Sequence, residues 1–176
     1  MYIEGGKMIQ LYYGDGKGKT SACVGAAVRA AGAGHQVLFV QFYKDGSSAE
    51  NQILKNISGV ECLFPTEQYD LLKKPDAKKI TALKGAYATL LETAEARAAD
   101  TFMIVLDEGA DAFEQGLLPA EAFLNFLKIW GQKCEIVLSG HTVSTALTEL
   151  CDYISHVKNI KHPFEKKVAA RKGIEY

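Results

Sequence analysis

The stretch GDGKGKTS at positions 14–21 directly follows an apolar run at 8–13 and directly precedes a small-residue segment of helical composition. That succession constrains the chain more than any other feature in it. Glycines permit a tight turn that points successive backbone N–H groups at an anion, a lysine adds positive charge, and a hydroxyl can ligate Mg²⁺. Gly14, Gly16 and Gly18 supply the turn, Asp15, Lys17 and Ser21 contribute backbone N–H groups, and Lys19 and Thr20 provide the charge and the hydroxyl. A helix opening at Lys19 aims its own N-terminal N–H groups at the same place. The strict pattern GxxxxGK[ST] begins with a glycine where this chain has Tyr13, so the agreement is with its GKT end.

A chain of 176 residues, 48% of them hydrophobic, has enough apolar material for one full core, and a single domain spanning 1–176 is expected. The formal net charge of −1 gives no general drive towards nucleic acid. No apolar run approaches the roughly 18 to 20 residues of a membrane span, and residues 1–7 are too few and too polar for a signal peptide. A cytoplasmic protein is the expectation. Cys23, Cys62, Cys134 and Cys151 form no CxxC pair, which argues against a zinc site or a disulfide framework and for buried free thiols.

Short β-type runs alternate with helical ones along the whole chain, which predicts an α/β fold. Strands are expected at 8–13, 36–42, 60–64, 101–108, 135–139 and 153–157, and helices at 20–33, 49–57, 76–99, 119–130 and 143–150. The expected architecture is a mainly parallel sheet of about six strands with helices on both faces. Ile80, Leu83, Tyr87, Leu90, Leu91 and Ala94 recur at helical spacing and belong to the core.

Ligands of such folds bind at the C-terminal ends of strands. The loop at 43–48 makes Lys44 a candidate phosphate or ribose contact, and the SGH turn at 139–141 makes His141 a candidate contact with nucleotide or substrate. The run TFMIVLDE ends in Asp107 and Glu108, where buried acids are costly unless something cationic lies beside them. In phosphate-loop proteins an acid at this place takes Mg²⁺ opposite the threonine of the loop, here Thr20. The closing segment 158–176 is basic, with Lys161, His162, Lys166, Lys167, Arg171 and Lys172; such a run forms a solvated face that a polyanionic ligand favours.

Five segments carry a family likeness in the correct order: GDGKGKT, QFYK at 41–44, VLDE at 105–108, SGH at 139–141 and the closing KHPFEKKVAARKGIEY. Over nearly its whole length the chain resembles ATP:corrinoid adenosyltransferases of the bacterial cobalamin-salvage type. The closing segment is the specific part, since a phosphate loop is shared by very many proteins. The resemblance implies a RecA-like α/β fold, a homodimer, and transfer of the 5′-deoxyadenosyl group of ATP to the cobalt of a reduced corrinoid. It implies Lys19 and Glu108 in catalysis, Mg²⁺ held by Thr20 with Asp107 or Glu108, and nucleotide contacts from positions 14–21, Gln41, Lys44 and His141. A flavodoxin-type electron donor belongs to the same expectation; nucleic acid and membrane do not.

Cob(I) corrinoid is itself a strong nucleophile, so the expected catalysis is positioning of ribose C5′ over cobalt and stabilisation of the departing triphosphate. The chain differs from the family pattern in places. Seven residues precede the first expected strand where a longer N-terminal segment is usual, FPTEQY at 64–69 stands where a longer glycine- and aromatic-rich stretch is usual, and Gly140-His141 stands where Gly-Arg is usual. Phe64 and Tyr69 are the candidates for packing on the corrin ring. The alternative readings are a nucleoside kinase or ATPase of the same fold, which would release ADP, and a RecA-type module acting on nucleic acid through the basic tail.

Overall fold

Strands with unbroken apolar sequence need cover on both faces, and a computed structural model, describing residues 6–67, 69, 75–161, 163 and 171–174, supplies it. Six strands pair throughout in parallel: β1 (Ile9–Tyr13), β2 (Val37–Gln41), β3 (Val60–Leu63), β4 (Met103–Asp107), β5 (Glu135–Gly140) and β6 (Tyr153–His156). Every residue of β2 and β4 is buried. Alternation along each strand divides the core into two layers. Val37, Phe39, Val105 and Val137 face α1 (Lys19–Gly32) and α2 (Ala49–Leu54). Leu38, Val40, Ile104, Leu106, Ile136 and Leu138 face α3 (Ala77–Ala98) and, further along the chain, α5 (Ala120–Trp130).

The helices follow from local chemistry. Asp76 caps α3 by accepting the Lys79 N–H at 2.7 Å, and the expected stripe of Leu83, Tyr87, Leu90, Leu91 and Ala94 is buried. In α1 the small residues Cys23, Ala27 and Ala30 lie buried on the sheet, letting the helix that carries Lys19 and Thr20 approach closely. Cys23 and Cys134 are buried, Cys62 and Cys151 half-buried, and all four are free thiols. Among the described residues no helix is long and apolar enough to cross a membrane.

Element ends depart from expectation where local hydrogen bonding overrides periodicity. The second helix stops at Leu54, since Asn56 N–H and Ile57 N–H close tight turns onto Ile53 and Leu54 carbonyls. The last expected helix shrinks to α6 (Thr145–Thr148), Ser144 being extended. β4 ends at Asp107, and the unforeseen helix α4 (Gly109–Glu114) follows at once. Its sequence GADAFE is too short to display a helical period.

Strand order decides how the site is assembled. It runs β3-β2-β4-β5-β1-β6, so β5 lies between the strand that feeds the glycine loop and the strand that ends in carboxylates. Two strand spacings separate those ends, about 10 Å. Bridging them requires a polar group at the end of β5 and a helix that crosses it, which Ser139 and α1 provide.

Candidate active site

The glycine loop is built against the segment that follows β6. Gly14 and Gly18 have φ of 119° and 117°, a region open to glycine and strained for other residues. The Gly16 N–H donates to the Val157 carbonyl at 2.8 Å, and the Asn159 N–H donates to Asp15 Oδ1 at 3.1 Å. The Asn159 amide is the main influence holding the Asp15 carboxyl below its ordinary range. A Cβ on Gly16 would lie 2.7 Å from the Val157 oxygen, so this glycine is needed for close approach. Gly16→Ala is expected to displace the loop, weakening nucleotide binding at least about tenfold and destabilising the fold by roughly 1–3 kcal/mol. Nucleotide titration and thermal melting check both parts.

Among the described residues no side chain caps the start of α1, leaving its first N–H groups for an anion. Lys19 Nζ donates to the carbonyls of Gly14 at 2.7 Å and Gly16 at 2.9 Å, which spans the loop with a positive charge. Thr20 Oγ1 reaches across β5 to donate to Asp107 Oδ1 at 3.2 Å.

Asp107 is fully buried and surrounded by donors. Its Oδ1 accepts from Thr20 and from Ser139 Oγ at 2.7 Å; its Oδ2 accepts from Gln41 Nε2 at 3.1 Å and faces Lys44 Nζ at 3.5 Å. Gln41 is itself fully buried: Nε2 also donates to Glu50 at 3.1 Å, and Oε1 accepts from Asn51. Its side chain therefore lies behind the carboxylates, with both ends of the amide engaged by protein. Lys44 bridges Asp107 and Glu50, the latter at 3.2 Å. Desolvation alone would lower the Lys44 pKa, but Asp107, Glu108 and Glu50 together raise it.

Glu108 is placed differently from its neighbour. It leaves the strand with φ 60°, a left-handed conformation held by its N–H donating to Ser139 Oγ at 2.8 Å. Among the described residues no donor meets its carboxyl, which lines the loop pocket. Burial foremost, then the charge of Asp107, pushes its pKa up to about 7. The Thr20 hydroxyl and the two carboxylates form a hard-oxygen set of the kind Mg²⁺ takes, and the uncompensated Glu108 is what a cation there would satisfy. Among the described residues no group of three or more His, Cys, Asp or Glu is arranged for a metal, so such a cation would complete its shell from the hydroxyl and ligand oxygens.

His141, at the end of β5, faces the same loop. Asp111 of α4 accepts from its backbone N–H at 2.9 Å and from Nδ1 at 2.8 Å. The pocket so formed, about 280 Å³, is lined by 15–21, Glu108, His141 and Ile174. A second cavity of about 840 Å³ is lined by Tyr43, Lys44, Ile53, Tyr69 and Lys172, among others. Lys44 of its lining reaches Asp107, whose other oxygen takes the Thr20 hydroxyl of the smaller pocket. Tyr43 has φ 60°, donates its N–H to the Tyr87 hydroxyl at 3.0 Å, and stands edge-on to Tyr69 at 4.8 Å.

The structure thus brings residues 15–21, Glu108 and His141 to one pocket, with Asp107 buried behind it against the Thr20 hydroxyl and Lys44 on the far side of Asp107. Tyr69 lines the larger cavity; Phe64 instead packs against Gly46 with Lys55 Nζ 5.1 Å above its ring. Of the basic tail, His162, Lys166 and Lys167 lie outside the described residues, while Lys172 lines the larger cavity. Asp111, Ser139 and Glu50 escaped the sequence reading. Ser139 stood in the SGH turn, and Asp111 three residues past Glu108, but no spacing pairs Asp111 with a histidine 30 residues away.

The profile of the family described as ATP:corrinoid adenosyltransferase BtuR/CobO/CobP matches residues 6–176. The chain is 29% identical over 171 residues to a corrinoid adenosyltransferase of Escherichia coli K12, covering 96% of this chain and 85% of that one. It is 28% identical to corrinoid adenosyltransferase CobA of Salmonella typhimurium, with the same coverage of 96% and 85%, and 26% identical to a corrinoid adenosyltransferase of Pseudomonas aeruginosa, with 96% and 83%. Among solved structures, EssC (ATPases 2 and 3) from Geobacillus thermodenitrificans superposes with a TM-score of 0.50 at 11% identity. That match covers 98% of this chain and 36% of the other, and it concerns the fold alone.

Proposed function

The chain belongs to the ATP:corrinoid adenosyltransferase family BtuR/CobO/CobP, and on that premise we propose that it transfers the 5′-deoxyadenosyl group of ATP to the cobalt of a reduced corrinoid in cobalamin synthesis or salvage. The observation that carries this reading beyond phosphate binding is the pairing of two unlike cavities. A small polar pocket fits a triphosphate; beside it lies a space three times larger, bordered by Tyr43, Tyr69 and Ile53, fit for a broad apolar ring.

The electron pair of Co(I) forms the bond to C5′, the bond from C5′ to the α-phosphate oxygen breaks, and triphosphate leaves with the electron pair of that broken C–O bond. Loop N–H groups and Lys19, turning from the carbonyls of Gly14 and Gly16, meet the charge that grows on the leaving group. Thr20, Asp107 and Glu108 are the residues that would hold Mg²⁺, whose chemistry is to neutralise phosphate oxygens. Gln41, itself held by Glu50, and Ser139 fix Asp107, and Lys44 balances its charge. The same reading takes a flavodoxin-type protein as electron donor, a homodimer as the assembly and the cytoplasm as the compartment.

Incubation with ATP, Mg²⁺ and chemically reduced corrinoid is expected to yield intact triphosphate by phosphorus NMR, together with the absorbance of an alkylcobalt bond. ADP without alkylcobalt absorbance would instead identify a kinase or ATPase.

A further inference from the structure

Among the described residues, one ring nitrogen of His141 is committed and the other meets no partner. Asp111 grips it twice, through the backbone N–H and through Nδ1, so the carboxylate fixes both the position of the residue and the orientation of its ring. A carboxylate only accepts, hence Nδ1 carries a proton, and Nε2 is the nitrogen left for a ligand. The side chain is 60% exposed and lines the pocket with Lys19 and the loop, so Nε2 is reachable from that space. Glu114, one turn after Asp111 on α4, accepts the Ser144 N–H at 2.7 Å and secures the backbone just beyond the histidine.

We propose that Asp111 and His141 together supply a proton-dependent cation to the phosphate pocket, His141 donating from Nε2 to the triphosphate and Asp111 positioning it. The proposal rests on the reading of this pocket as a triphosphate site and goes further by making its anion affinity depend on one histidine.

The charges facing His141 set the direction. The Asp111 hydrogen bond is the largest influence and raises its pKa above 6.5; partial burial and Lys19 of α1 oppose this, and Glu108 at the end of β4 assists it. Asp15 and Lys17 of the loop line the same pocket. A histidine with raised pKa keeps its positive charge beside Asp111 fully below its ordinary pKa and loses that charge as pH rises through the folded value, while the Nδ1–H hydrogen bond remains. Triphosphate binding therefore weakens with rising pH.

Inorganic tripolyphosphate without metal, titrated calorimetrically into the full chain from roughly pH 6 to 9, tests this by comparing wild type with His141→Gln. The ligand's own titration is common to both proteins, and because His141 and Glu108 influence each other the comparison is repeated in a Glu108→Gln background. Wild type is expected to bind roughly three- to tenfold tighter than His141→Gln at the acid end, an advantage that vanishes at the alkaline end. His141→Arg is expected to keep that advantage at every pH. In Asp111→Asn, checked for folding by its melting temperature, the ring titration followed by NMR moves to lower pH. Equal pH profiles for wild type and His141→Gln would overturn the proposal and leave the adenosyltransferase reading intact. Failure of wild type to bind tripolyphosphate or ATP at any pH would overturn both.

Discussion

Lys19→Ala is expected to lower kcat/KM for adenosyl transfer by about 10²- to 10³-fold, the loss of roughly 3 to 4 kcal/mol of transition-state stabilisation that follows removal of a preorganised charge. The reason lies in where the ammonium sits. It is held by two loop carbonyls, at 2.7 and 2.9 Å, in the centre of the turn that would receive the phosphates. Those bonds are exchanged for phosphate oxygens when the nucleotide enters, so the lysine neither folds the domain nor fills the core. Melting temperature is accordingly expected to change little, by about 1 kcal/mol of stability or less. Lys17, exposed on the same loop, provides the contrast: its alanine variant should lose only a few-fold, because a solvated charge is screened. Steady-state kinetics on the two variants, with melting curves for each, separates a positioned charge from a general attraction. Comparable losses in both would remove Lys19 from its assigned role.

Much of this was legible in the chain because it depends on short-range chemistry. The loop, the apolar strands and the stripe from Ile80 to Ala94 are written in consecutive residues or in fixed periods, and each strand was placed within a residue or two of its observed ends. What escaped is non-local. Strand order is a property of pairing between distant segments, so the insertion of β5 between β1 and β4 could not be read from alternation. With it went the role of Ser139, whose hydroxyl links the Glu108 N–H to Asp107 only because β5 lies in that gap. Gln41 was expected at the nucleotide, yet it ends a strand buried on both faces, where its amide is consumed by Asp107, Glu50 and Asn51. Helix α4 was missed because six residues cannot show a period, and with it the partner of His141.

Asp107→Asn and Glu108→Gln are expected to fail in different ways, although the residues adjoin. Asp107 is surrounded by four partners, two of them unable to accept: the Gln41 amide nitrogen and the Lys44 ammonium. Asparagine must keep its oxygen towards these, which turns its NH₂ onto the Thr20 and Ser139 hydroxyls. Ser139 already accepts from the Glu108 N–H, and its own proton then loses its acceptor. Lys44 retains Glu50 but loses a buried counter-charge, so a stability loss on the order of 2–3 kcal/mol is expected, somewhat below that for breaking a fully buried pair. Glu108 has no such company. Its pKa of about 7 makes it an acid that the fold prefers protonated, so its contribution is fully favourable below the ordinary value of 4.5 and is lost as pH rises through about 7. Removing the ionisable group should leave the melting temperature little changed at about pH 4 and raise it at about pH 8, where the wild-type carboxyl must ionise in a buried site. Activity should nonetheless fall by about 10²-fold and lose its dependence on Mg²⁺, because the carboxyl of the pair that no donor among the described residues meets is gone. The measurement is a pair of melting curves at two pH values and a Mg²⁺ titration of the rate for each variant. Wild-type Mg²⁺ dependence in Glu108→Gln would make Glu108 a structural acid and leave Asp107 with Thr20 as the cation's side of the pocket.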